Sequence, residues 1–241
     1  MIDQIASSIQ AQAGDHLVEI GPGQGALTEA LVKVGCDIDV VELDRDLVPG
    51  LLAAFSIYPH FTLHSADALS FDFSALAEQD EQLRVVGNLP YNISTPLIFK
   101  LLENASIIRD MHFMLQLEVV ERLAASPGSK AWGRLGIMAQ YRCKVEHLFD
   151  VPPTAFHPPP KVQSAIVRLT PWQTLPWPDC DASSLERVVR AAFAQRRKTL
   201  RKTLKGLIDV NRLETLGIDP GARAETLELK QFIDIAGAAD E

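Results

Sequence analysis

Residues 19–28, EIGPGQGALT, follow the short apolar run LVEI at 17–20 and lead into the amphipathic pattern GALTEALVKVG at 25–35. A buried strand, a turn built from Gly21, Gly23 and Gly25, and a helix are expected in that order, because glycine lets the backbone turn tightly and approach a ligand closely. Outward from this loop the same alternation continues. DVVEL is followed by RDLVPGLLAAF, then come FTLHS, LRVVGN, MHFMLQ with LEVVERLAA, and SAIVRL. Continuous apolar strands between amphipathic helices predict an α/β domain, a doubly wound, Rossmann-like parallel sheet covered on both faces.

The chain has 241 residues, 47% hydrophobic and 22% charged, which is an ordinary globular composition. No apolar run reaches the roughly 20 residues of a membrane span, and the N-terminus shows no signal pattern. The three cysteines, Cys36, Cys143 and Cys180, lie far apart without a C-x-x-C spacing. A zinc site or disulfide framework is not expected, and a cytoplasmic setting is.

A net charge of −8 argues alone against a nucleic-acid partner, but its distribution argues the other way. Residues 187–205 carry eight basic residues and no acid. A Pro-rich stretch, TPWQTLPWPDCD, reads as a linker between a catalytic domain at 1–172 and a small helical domain at 182–241. Ser183 with Glu186 offers a capping box to a long helix, on which Val189, Phe193, Leu200 and Leu204 form an apolar stripe. Arg196, Arg197, Lys198, Arg201 and Lys202 beside that stripe are candidates for RNA phosphate contacts, against the plainer reading of a solvated helix face.

A glycine loop serves nicotinamide, flavin and S-adenosylmethionine sites alike. Glu42 ends the second strand, 21 residues after Gly21, where a carboxylate can accept both ribose hydroxyls. Asp67 ends the third strand, within reach of an adenine amino group. Either alone could be a solvated loop acid; together beside the loop they point to an adenosine pocket.

The fourth strand runs into GNLPYNIST at 87–95. If the cofactor is a sulfonium methyl donor and the acceptor an amino group conjugated to an aromatic ring, that nitrogen is a poor nucleophile. The Asn88 side-chain oxygen and the Leu89 carbonyl could hold its hydrogens and draw it toward an attacking geometry, with Pro90 stiffening the bend. Tyr91 would stack on the base. A β-turn with a buried tyrosine is the structural alternative.

With EIGPGQGALT, VVELD, SADAL, GNLPYNIST, MHFMLQ, AFHPPPKVQSAIV and QRRKTLRKTL in order, the chain resembles the ribosomal RNA adenine N6,N6-dimethyltransferases throughout its length. The branch most like it modifies two adjacent adenines near the 3′ end of small-subunit ribosomal RNA. The resemblance implies S-adenosylmethionine held against Gly21, Gly23, Glu42, Asp67 and Asn88, and Phe156 joining Tyr91 around the target base. It also implies the small ribosomal subunit and its RNA as partners of a monomer, without membrane or metal. Relatives acting on large-subunit RNA, and a non-catalytic assembly factor, remain alternatives. The family normally carries a basic segment ending in a Phe-Gly-Gln-Asn-Phe-Leu-like motif ahead of the helix that starts here at Met1. The sequence as it stands is therefore read as truncated or started late, with weakened cofactor binding and little turnover expected.

Overall fold

The computed structural model describes residues 1–77, 81–90, 92–156 and 159–240. They divide into two compact units, Met1–Val120 with Lys144–Pro171, and Glu121–Cys143 with Trp172–Glu241.

The first unit is built on β1 (His16–Ile20), β2 (Asp37–Glu42), β3 (Phe61–Ser65), β4 (Leu83–Asn88), β5 (Ile108–Gln116), β6 (Cys143–Val151) and β7 (Ser164–Pro171). Their order in the sheet is β3-β2-β1-β4-β5-β7-β6. The β3-β2-β1-β4-β5 pairings are parallel, as the apolar runs lead one to expect, whereas β7 pairs antiparallel with β5. The sheet is therefore mixed rather than wholly parallel. β6 has no counterpart in the apolar pattern because, at the end of the sheet order, it carries Lys144, Glu146, His147 and Asp150 along its length. Charged side chains of this kind protect an edge strand from further pairing.

Helices α1 (Ile2–Ile9), α2 (Ala26–Leu31), α3 (Val48–Phe55) and α4 (Ser94–Glu103) accompany the parallel strands. Ile9, Leu31, Leu51 and Phe55 from the first three pack with Leu17, Ile38, Val40 and Val86 of the sheet. Val18, Ile20, Val85, Met111 and Phe113 point to the opposite face and are also buried. Among the described residues no helix is long and apolar enough to cross a membrane.

At the sheet's centre the strands press close. A Cβ on Gly87 would lie 2.4 Å from the carbonyl oxygen of Ile20 on β1, a backbone atom that cannot step aside alone. Gly87→Ala should destabilise the protein by about 2–3 kcal/mol, read from denaturant midpoints. An unchanged midpoint would mean the strands have slack there.

The starting ends of β1 and β2 carry a charged cluster. His16 bonds Asp39 at 2.6 Å through Nε2 and Glu81 at 3.1 Å through Nδ1, while His64 reaches the other Asp39 oxygen at 2.5 Å. The hydrogen bond to Asp39 leads in raising the His16 pKa to about 9, against partial burial. A folded-state pKa above the unfolded value stabilises fully below about pH 6.5 and is lost as pH rises through about 9. We expect stability to fall by about 1–2 kcal/mol across that window, after allowing for solvent screening. His16→Gln should flatten the decline in urea titrations; an unchanged decline would assign it to other groups.

The second unit holds the end of α5 (Leu117–Leu123), α6 (Arg134–Arg142), α7 (Ala182–Ala192), α8 (Leu200–Thr203), α9 (Val210–Thr215) and α10 (Leu229–Asp240). Ala125, Trp132, Ile137 and Tyr141 pack with Leu185, Val189, Leu200 and Phe232 in its core. Residues 121–143 thus cluster with the helical unit rather than with the catalytic domain expected at 1–172. The chain crosses near 120 and 143 through regular elements, leaving no linker composition to read. The stretch expected to be a linker is anchored instead. Trp172 and Trp177 donate through Nε1 to the carbonyls of Gln140 and Tyr141, and Tyr141 donates to the carbonyl of Cys180.

Two expectations about the basic helix are corrected. Asp181, not Ser183, caps α7, accepting from the Ser184 amide at 2.9 Å, while Glu186 pairs with Arg134. The long helix stops at Ala192. The amides of Leu200 and Arg201 are taken by the carbonyls of Ala222 and Pro220, and Thr199 bridges Arg223. These partners lie about twenty residues on, so helical periodicity gave no warning of the break.

Candidate active site

The loop after β1 leaves the sheet with Gly21, Gly23 and Gly25 at φ 66, 59 and 82, a region that other residues rarely enter. A side chain on Gly23 would meet nothing within 4 Å, so the backbone at that residue faces open space. Gly21, Gly23, Asn88 and Phe156 line one cavity of about 470 Å³, with Glu19, Gly87, His112, Met114, Val151 and Ile166. That volume lies within the range of small-molecule sites, roughly 300–1,000 Å³.

Glu42 does not line this cavity but is tied to its rim. Its buried carboxylate accepts from the Gly23 amide at 3.4 Å and the Asp44 amide at 2.8 Å. The Ala66 amide donates to the Glu42 carbonyl, which holds the ends of β2 and β3 side by side. Asp67, next along, is exposed and its carboxylate accepts from the Leu69 amide at 2.9 Å. Both acids therefore stand at neighbouring strand ends, with Asp67 organising its own turn.

Asn88 is the last residue of β4, exposed, and beside Gly21: a Cβ on that glycine would lie 3.8 Å from the Asn88 carbonyl oxygen. Leu89 is buried and its amide donates to the Met114 carbonyl on β5. The Pro90 carbonyl accepts from the amides of Ile93 and Ser94, turning the chain into α4. Tyr91, the expected stacking ring, lies outside the described residues, as do His157 and Pro158 of the Pro-rich motif. Phe156 lines the cavity and also packs against the cluster of Ile5, Val151 and Ile166. It is thus a core aromatic on one side and a cavity wall on the other.

Two lining residues escaped the sequence reading. Glu19 is 2% exposed; burial pushes its carboxyl up to about 7, against a 2.6 Å hydrogen bond from Thr28, with the Glu42 charge adding to the rise. His112 is 3% exposed and burial holds it down at about 4. Each is a polar residue inside an apolar run, LVEI or MHFMLQ. That interruption was the available signal, and it does not say which face of the strand meets a cavity.

Among the described residues no group of three or more His, Cys, Asp or Glu is placed to hold a metal ion. In the second unit Arg197, Lys198, Arg201 and Lys202 are exposed. Arg196 is engaged with Glu225 at 3.2 Å and with the carbonyls of Lys130 and Trp132.

Residues 1–241 match the family model described as ribosomal RNA adenine dimethylase. The chain belongs to this family. It is 60% identical over 241 residues to the ribosomal RNA small subunit methyltransferase A of Pseudomonas syringae pv. tomato, the match spanning 100% of this chain and 90% of that protein. The protein of the same name from Pseudomonas aeruginosa is also 60% identical, with the same coverage. Among solved structures, a dimethyladenosine transferase from Plasmodium falciparum matches with a TM-score of 0.82 at 25% identity, covering 97% of this chain and 93% of that one. The 23S ribosomal RNA methyltransferase ErmE matches at 0.78 and 25% identity, covering 100% and 97%. The glycine loop and the strand end at Asn88 thus belong to a Rossmann-like methyltransferase sheet.

Proposed function

We propose that the chain dimethylates the N6 amino groups of two adjacent adenines near the 3′ end of small-subunit ribosomal RNA, with S-adenosylmethionine as the methyl donor. The observation that carries this reading is the placement of Asn88 and the glycine loop on one cavity, in a chain 60% identical to small-subunit methyltransferases. The residues present fit the donor. Open space over Gly23 admits its backbone-hugging portion and the cavity wall offers buried polar groups, while Glu42 and Asp67, outside the cavity lining at neighbouring strand ends, would meet its ribose and adenine. When bound, S-adenosylmethionine supplies an electrophilic methyl group on its sulfonium.

The chain's own residues orient the acceptor. The Asn88 side-chain oxygen and the Leu89 carbonyl accept the two amino hydrogens, which draws the nitrogen lone pair out of conjugation with the ring. Phe156, with Tyr91, clamps the base after it leaves its stack. No general base is required, because the amino proton is acidic once the nitrogen is methylated and passes to water. After the first transfer only one amino hydrogen remains, so the aromatic clamp carries more of the positioning in the second.

Arg197, Lys198, Arg201 and Lys202 contact RNA phosphates; Arg196, already engaged by Glu225, instead shapes the turn that presents them. Four contacts give a log–log salt slope of about −3 for single-stranded RNA. A slope near zero would return these residues to surface solvation. The enzyme works as a monomer in the cytoplasm, where its subunit partner is assembled.

The fold likeness to ErmE favours a second substrate, adenine of large-subunit RNA. Tritiated methyl transfer to unmethylated small subunits, to large subunits and to naked RNA separates the two. Label confined to small subunits supports the proposal, and label on large subunits alone overturns it.

A further inference from the structure

Lys100, on α4, sends its ammonium group to the chain that follows β3. Its Nζ donates to the Leu69 carbonyl at 2.8 Å and to the Phe71 carbonyl at 2.6 Å, and lies 5.6 Å from the centre of the Phe73 ring. Hydrogen bonds from a charged donor are about twice as strong as neutral ones, and an aromatic face adds its own attraction for a cation. The Phe71 ring packs between His64 of β3 and Phe73, with centres 5.1 and 5.2 Å away. A surface lysine is thus committed to two main-chain oxygens of one short segment.

That segment is the turn that carries Asp67. The Asp67 carbonyl accepts from the amides of Ser70 and Phe71 at 2.9 Å, and its carboxylate Oδ1 accepts from the Leu69 amide at 2.9 Å. These bonds are local, so they shape the turn without tying it to another element. Its near end is tied by the Ala66 amide, which donates to the Glu42 carbonyl on β2. Its far end is tied by Lys100. Leu69 links the two layers of control, because its amide orients the Asp67 carboxylate while its carbonyl is held by the ammonium. The helix that supplies this anchor grows directly from the bend after Asn88, where the Pro90 carbonyl accepts from the amides of Ile93 and Ser94.

We propose that Lys100 is a positioning residue for donor specificity: by holding the Leu69 and Phe71 carbonyls it keeps the Asp67 carboxylate where it accepts from an adenine amino group and rejects a purine with a keto oxygen there. This rests on the proposed methyl-donor site, with Asp67 at its adenine end, and goes beyond it by naming the residue that sets the choice of base. A keto oxygen facing a carboxylate brings two acceptors together with no hydrogen between them. Such a mismatch is costly only where the carboxylate cannot swing aside. Asp67 is exposed, so its own packing does not restrain it, and the restraint comes through the Leu69 amide and Lys100.

The test compares S-adenosylhomocysteine with S-inosylhomocysteine, in which the purine amino group is replaced by a keto oxygen. Calorimetry should show the unmodified protein preferring the adenine compound by roughly tenfold or more. Lys100→Met keeps the apolar stem without the donors, and should weaken S-adenosylhomocysteine by roughly 5- to 10-fold while changing S-inosylhomocysteine by less than about twofold. Lys100→Arg, which keeps a cation able to reach two carbonyls, should restore most of the preference. A Lys100→Met variant that leaves the preference unchanged, by weakening both compounds equally or neither, overturns the proposal. Should Lys100→Met fail to fold, the unmodified protein decides, because a clamp that favours the adenine ligand must be favoured by it in turn. S-adenosylhomocysteine at saturation should then slow reductive methylation of the Lys100 amine more than S-inosylhomocysteine does, and equal protection contradicts the assignment. An unmodified protein that bound both compounds alike, or neither, would overturn the reading of the adenine end or of the donor site itself, whereas a preference that ignores Lys100 sinks this proposal alone.

Discussion

Asn88→Ala is expected to slow both methyl transfers by about 2–4 kcal/mol of lost transition-state stabilisation, roughly 30- to 800-fold. The reason is positional. Asn88 ends β4 between β1 and β5, with its backbone against Gly21 and its side chain exposed. Nothing in the packing of the sheet requires an amide there, so its removal should cost little stability, about 0.5 kcal/mol or less. What it removes is an acceptor aimed at a nitrogen whose lone pair must leave conjugation, a demand made only in the transition state. Single-turnover methyl transfer to small subunits should therefore fall while S-adenosylhomocysteine affinity changes by less than about tenfold. A loss of cofactor binding that accounts for the whole loss of rate would recast Asn88 as a donor-binding residue.

The largest effect on stability is expected from Arg84→Met, at about 3–5 kcal/mol. Arg84 is 3% exposed and forks onto Asp110 through two 2.9 Å bonds. The same guanidinium reaches Asp15 at 2.7 Å and the carbonyls of Ile9 and Gln10, which end α1. It is thus a cation at a helix C-terminus as well as a partner for two carboxylates, and Asp15 is held below the usual carboxylate range, with the Arg84 bond countering the opposing effect of burial. Removing it strands Asp110 in the sheet and leaves carbonyls unpaired. Lysine cannot reproduce the fork, so Arg84→Lys should recover only part of the loss. The double variant Arg84→Met with Asp110→Leu should be more stable than Arg84→Met alone, because the stranded charge is gone. Denaturant unfolding of the three variants checks the order, and a double variant less stable than the single one would contradict it.

The parts of this protein that local chemistry writes were legible in the sequence. Gly21 and Gly23 must be glycines for the turn they make, and Glu42 and Asn88 end apolar strands at the same end of the sheet, though of the two only Asn88 lines the cavity. The parts that depend on distant partners were not. Arg84 in LRVV, Glu19 in LVEI and His112 in MHFMLQ each interrupt an apolar run, yet their roles come from residues far along the chain, as when Arg84 meets Asp110 across 26 residues and Ile9 across 75. The end of α7 was hidden for the same reason: partners near 220 take its would-be helical amides. β6 was hidden by its place in the sheet, where an edge strand needs charge more than apolar continuity.

The most direct measurement is nucleoside analysis of small-subunit RNA after incubation with S-adenosylmethionine and either the unmodified chain or Asn88→Ala. The unmodified chain, even at low turnover, should place its N6,N6-dimethyladenosine at two adjacent adenines near the 3′ end, and the variant should leave those positions largely unmodified over the same interval. Methyl groups found on another nucleoside, or dimethyladenosine formed at the same rate by the variant, would contradict an Asn88-centred amino-methylation site.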